Sequence, residues 1–173
     1  KEESKKLNER ILNSSYSYKG FKGEMNLNDR GLLPHILIMK IKSPILTYIK
    51  GLHYTKYDGI KWTINKEKIE KNIESAENSF FEVEYFSDIY LQSNYNEIIT
   101  YFVIQQDMPD IIYHIPNIFQ VYIPSETLKI LDYNFFNDYP LVKGMTYTVI
   151  SKIPSINYDY LNNLTFQDYQ NFL

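Results

Sequence analysis

"YIKGLHYTKYDGIKWT", residues 48–63, crowds Tyr48, Lys50, His53, Tyr54, Lys56, Tyr57, Asp58, Lys61 and Trp62 into one short stretch. Such a density of reactive and aromatic side chains suits either an active site or a β-hairpin. Asp58-Gly59 lies between two strand-like runs, and Asp-Gly is a strong hairpin signal because a type I′ turn needs positive φ at both central positions. Asp58 is therefore expected to serve turn geometry rather than proton transfer. Lys61 and Trp62 begin the return strand, with Trp62 folding back towards Tyr57 and Tyr54. Gly51 in mid-strand implies a bulge or a close approach by another chain segment. If the indole is core, Trp62→Ala is expected to cost about 3–5 kcal/mol, whereas His53→Ala matters little.

Outward from the hairpin, strand-like runs recur. "HILIMKIK" (35–42) precedes it and ends at Ser43-Pro44. Further candidates follow at 80–90, 97–105, 111–114, 118–123, 127–132 and 145–152, separated by Asn, Pro, Asp and Gly. Short strands at this spacing predict a mainly β fold, an antiparallel β-sandwich with short peripheral helices, rather than alternating β and α units. The expected division is an N-terminal arm or short helix over 1–19, a sandwich domain over 20–160, and a C-terminal segment over 161–173 that leads into a following domain. Leu7 and Ile11 support the first helix, and Thr165 with Asp168 three residues on gives an N-cap signal near the end. The charged 65–78 excursion, "NKEKIEKNIESAEN", has Ile69 and Ile73 at helical spacing and Glu67 four before Lys71, which predicts a solvated helical turn or mobile excursion. The opening "KEESKKLNER" looks like a cut made inside a longer protein.

Composition narrows the function classes. An apolar fraction of 44% excludes a disordered chain, and 17 Tyr and 10 Phe favour pleated, half-buried surfaces over helices. The net charge of −3, with basic residues scattered beyond the N-terminal arm, lacks the basic face of a nucleic-acid binder, so no nucleic-acid partner is expected. Without cysteine there is no disulfide, thiolate nucleophile or Cys-based zinc site. No stretch approaches the ~18 continuous apolar residues of a membrane helix, and no signal-peptide pattern opens the chain.

The chemical candidates are thin. His35, His53 and His114 are not at short metal-ligand spacing from one another, so no metal is expected, and nothing implies a cofactor. Thr47 and Thr55 lie near His53 in sequence, yet no Gly-x-Ser-x-Gly elbow appears. Glu82, Glu84 and Asp88 alternate through "FFEVEYFSD"; paired carboxylates can do acid–base work, but a solvated strand face is the simpler reading. "NLNDRG" has Arg30 where a calcium loop needs an acid. Exposed Tyr and Trp could stack on sugar rings or a peptide; cross-strand pairing favours core packing for most of them.

"KSPILTYIKGLHYTKYDGIKW" also resembles a segment of TgpA-type bacterial transglutaminase-like membrane proteins that runs Tyr, Arg-Gly, then Tyr-Asp-Gly-x-x-Trp. Tyr48, Lys50, Gly51, Tyr57, Asp58, Gly59 and Trp62 occupy the matching places, with Lys50 replacing the usual Arg. "NLNDRG", "YHIPNIFQVYIPS", "GMTYTVISKIP" and the terminal "YQNFL" resemble other stretches in preserved order, over roughly residues 20 to 173. The resemblance implies a non-catalytic extracytoplasmic domain between membrane helices and a papain-like transglutaminase domain that uses a Cys-His-Asp triad. With no cysteine here, no catalytic residue carries over. The implied partners are the adjacent transglutaminase-like domain and the membrane helices of a parent chain. A cell-wall glycan or peptide ligand for exposed aromatics, and a hydrolase using His53 or the 82–88 carboxylates, are the alternatives.

Overall fold

Strict alternation along residues 95–104 sets the architecture: Ile98, Thr100, Phe102 and Ile104 point inward, while Ile99 and Tyr101 stay exposed. The computed structural model describes residues 2, 5–6, 24–26, 35–65, 70–75, 80–83 and 95–155. These are 53% strand and 3% helix, so the fold is mainly β. The strands are β1 (Glu24–Asn26), β2 (Met39–Lys42), β3 (Lys56–Tyr57), β4 (Lys61–Thr63), β5 (Glu70–Glu74) and β6 (Phe80–Glu82), then β7 (Tyr95–Ile104), β8 (Ile118–Tyr122), β9 (Thr127–Leu131), β10 (Asn134–Asn137) and β11 (Thr146–Pro154).

They form three antiparallel sheets, ordered β2-β7-β11-β8-β6, β10-β9-β5 and β1-β4-β3. Side chains from the first two sheets fill one buried cluster: Phe102, Ile104, Tyr147, Val149, Val121 and Phe81 from the five-stranded sheet meet Leu128, Ile130 and Phe135 from β9 and β10. This is a sandwich, because each sheet buries one face against the other. The long β7–β11 pairing runs from Thr146↔Val103 to Pro154↔Tyr95 and forms its spine. A register shift at Ile150/Ser151 bends β11 against β8. The Ser151 hydroxyl there donates to the Ile115 carbonyl at 2.9 Å, so this buried polar group is satisfied.

Several expectations are altered. Residues 70–74 are strand, not helical turn: β5 pairs with β9 from Glu70↔Leu131 to Glu74↔Thr127. An i,i+4 charge pair contributes only about 0.2–0.5 kcal/mol, whereas the ladder satisfies backbone groups and lets Ile73 pack against the core. β5 is an edge strand, and its charges suit an edge that must not pair further. The 111–114 candidate forms isolated bridges, Ile111↔Phe136 and Lys50↔His114, rather than a named strand. The strand-like run before Asp58 contracts to β3, and 35–42 contracts to β2. Most of the 1–19 arm, the segment 161–173 with its expected helix, and Glu84 and Asp88 lie outside the described residues; Glu2, Lys5 and Lys6 are helical.

Candidate functional site

Residues 43–65 leave the β2 edge of the large sheet, cross to the β9–β10 end of the sandwich and return as the β3–β4 hairpin. The seven motif residues do not converge on one cavity. Tyr57, Asp58, Gly59 and Trp62 form a self-contained hairpin, in which Tyr57↔Trp62 and Lys56↔Thr63 are the cross-strand pairs. The Tyr57 and Trp62 rings stack with centroids 4.9 Å apart, and the Tyr57 hydroxyl donates to the Gly59 carbonyl at 2.8 Å. The Asp58 carboxylate accepts the Ile60 and Lys61 N–H groups at 2.9 and 2.8 Å. These backbone bonds hold its carboxyl below the usual carboxylate range. Positive φ occurs at Gly59 (97°) and not at Asp58. The hairpin is therefore real, but Asp58 closes it through its side chain, not in the type I′ geometry expected from the dipeptide.

Lys50 and Gly51 belong to a different contact. Lys50 exchanges backbone bonds with His114, N–H to carbonyl at 2.8 and 3.0 Å, and its ammonium donates to the Tyr133 carbonyl at 2.8 Å. Burial lowers the Lys50 pKa, while nearby Asp132 opposes the shift. A Cβ on Gly51 would lie 3.0 Å from the Tyr113 ring, so the close approach suits glycine. Tyr48 stands apart and is 91% exposed.

The docking partner of this crossing segment was not apparent from sequence. Asp132 and Tyr133 join β9 to β10 as a two-residue turn, and both have positive φ, 47° and 63°. Here, without glycine, is the turn geometry anticipated at Asp58-Gly59. Such a φ is costly for a bulky residue like Tyr133, and side-chain bonds hold it. The Asp132 carboxylate accepts the Thr55 hydroxyl and the Asn65 N–H. The Asn134 amide accepts the His53 N–H and donates to the His53 carbonyl at 2.9 Å. Asp and Asn tolerate or support left-handed turns, so Asp-Tyr-Asn between "LKIL" and "FF" was the available signal. These groups fasten one chain segment to another.

The other chemical candidates scatter. His53 and His35 are exposed, whereas His114 is buried edge-on to Phe135 with ring centroids 5.2 Å apart. The His114 Nδ1 donates to the Ile115 carbonyl at 2.7 Å, and burial lowers its pKa from 6.5 to about 4. Glu82 is exposed on β6. Among the described residues no group of three or more His, Asp or Glu side chains is placed to hold a metal ion.

One surface does stand out. From 36 to 48, Ile36, Leu37, Ile38, Ile41, Ile45, Leu46 and Tyr48 are all exposed, Leu46 to 106%. β2 ends the five-stranded order, and no strand among the described residues pairs with its outer side. On the outer face of the same sheet a row runs Lys42, Tyr101, Thr148, Tyr122 and Phe80 across all five strands. Lys42 lies 6.0 Å from the Tyr101 ring centroid, and Phe80 packs on Tyr122 at 4.9 Å. Exposed single apolar residues are ordinary, but seven exposed apolar or aromatic side chains within 36–48 mark a contact surface. No family model matches the sequence, and no curated protein or solved structure matches it either.

Proposed function

We propose that this chain is a non-catalytic, extracytoplasmic interaction domain of a membrane-anchored transglutaminase-like protein, and that it positions the neighbouring enzyme domain. The observation that carries the interaction reading is the apolar edge at 36–48, which folding of the described sandwich leaves uncovered. The ordered motif resemblance, from Tyr48 to Trp62 and on to Gly144-Met145-Thr146-Tyr147, supports the parentage. The polar groups of the crossing segment support a non-catalytic reading, since Thr55, Asp132 and Asn134 are committed to docking His53 and Asn65.

The test has two stages. The open reading frame that encodes this chain should continue into a domain bearing Cys, His and Asp; a different continuation removes the parentage. The two domains, expressed separately, should then associate in a titration followed by NMR; no association removes the positioning role.

A second reading has its own observation. The Tyr101–Thr148–Tyr122–Phe80 row sets three rings and a threonine hydroxyl side by side, as a platform for cell-wall glycan or peptide would. Shifts at Tyr101 and Tyr122 on addition of peptidoglycan fragments, with none at 36–48, would select it.

A further inference from the structure

The apolar edge also has an unusual charge. Residues 35–57 carry Lys40, Lys42, Lys50 and Lys56 and no Asp or Glu, in a chain whose net charge is −3. Lys50 is committed to the Tyr133 carbonyl, but Lys40, Lys42 and Lys56 are exposed. Lys40 and Lys42 alternate with the apolar Met39 and Ile41 along β2. Immediately after β2, the irregular segment 43–48 leaves Leu46 and Tyr48 at 106% and 91% exposure. Extended chain spans at most about 3.6 Å per residue, so Leu46 lies within about 15 Å of Lys42.

We infer that this edge docks on an anionic lipid surface: Leu46, Tyr48 and Ile45 enter the headgroup region while Lys40 and Lys42 meet lipid phosphates. The inference rests on the interaction-domain reading above and names the partner of that surface. Charge selects the class of partner, since a cationic stretch without an intervening acid is attracted to anionic headgroups. The distribution of the apolar groups selects a bilayer over an added strand. A strand paired to β2 would take up the main-chain edge at Met39–Lys42, yet it would leave the segment beyond, with Leu46 and Tyr48, in water. A lipid interface accepts a projecting leucine and seats a tyrosine at headgroup depth without any register.

The 173-residue chain is sedimented with vesicles of phosphatidylcholine alone or of phosphatidylcholine with phosphatidylglycerol, at low and raised salt. Binding is expected only with phosphatidylglycerol and should weaken with salt. Lys40→Gln and Lys42→Gln should each weaken it about fivefold, and Leu46→Ser about tenfold, with unchanged far-UV circular dichroism. Absence of sedimentation with either vesicle, or sedimentation indifferent to all three substitutions, overturns lipid docking. A dimer in light scattering that Ile41→Lys dissociates, together with no vesicle binding, also overturns it but leaves the interaction-domain reading standing. That reading fails as well if the substitutions change neither vesicle binding, nor oligomeric state, nor affinity for the neighbouring domain.

Discussion

The inner face of β7 and β11 and the edge from 36 to 48 are built from the same residue types and end in opposite surroundings. In the interior, Tyr147 stacks on Phe102 with centroids 4.6 Å apart, and its hydroxyl accepts the Tyr113 N–H and donates to the Tyr113 carbonyl, both at 3.1 Å. Burial raises the pKa of both Tyr113 and Tyr147. At the edge, Tyr48 and Leu46 stand in water. The difference shows that aromatic and aliphatic content alone does not measure the core. What decides is whether a second layer sits across from a given face. Leu128, Ile130 and Phe135 supply that layer for Phe102 and Ile104; among the described residues no strand flanks the outer side of β2.

Substitutions sharpen the contrast in decreasing order. Phe102→Ala should cost about 3–5 kcal/mol in urea denaturation, because the ring is wholly buried and the sheets cannot close over the gap. A cost near zero would place the core elsewhere. Next comes a pH effect at another buried ring, His114. The His114 pKa falls from 6.5 to about 4 on folding, so between these values the unfolded chain binds a proton that the folded one refuses. Its contribution is fully present above the unfolded value and is lost as pH falls through this window, by up to about 3 kcal/mol. Denaturation midpoints should drop across that window and drop less in His114→Phe; equal slopes would contradict the burial.

Smaller effects follow at single contacts. Tyr147→Phe should cost about 1–2 kcal/mol, since it leaves two buried main-chain groups of Tyr113 without this partner. Trp62→Ala should cost about 1 kcal/mol, not the 3–5 expected of a core indole, because Trp62 is half-buried and stacks on exposed Tyr57 in a peripheral hairpin. A loss as large as that of Phe102→Ala would make the hairpin part of the core.

The sequence disclosed what local chemistry controls. The strand-like run 97–105 located β7, and Asp58-Gly59 located a hairpin, with strands shorter than the runs around it. It misled where distant partners decide. Ile69 and Ile73 carry a helical spacing, but β9 offered backbone partners that a short charged helix lacks. Asp132-Tyr133 has no glycine to announce its turn; the geometry is held by Thr55, Asn65 and Lys50, all remote in the chain. The apolar edge was legible only as a strand, "HILIMKIK", because the pattern of residues does not say that the opposite side stays open.

Urea denaturation of a Leu46→Ser/Tyr48→Ser double variant, beside the parent chain, tests most directly that the edge serves contact and not folding. The midpoint and slope should match the parent within about 0.5 kcal/mol, as for substitutions that remove no buried contact. A loss above about 2 kcal/mol would mean that these side chains hold the sandwich together, and the edge would then have no surplus surface to offer a partner.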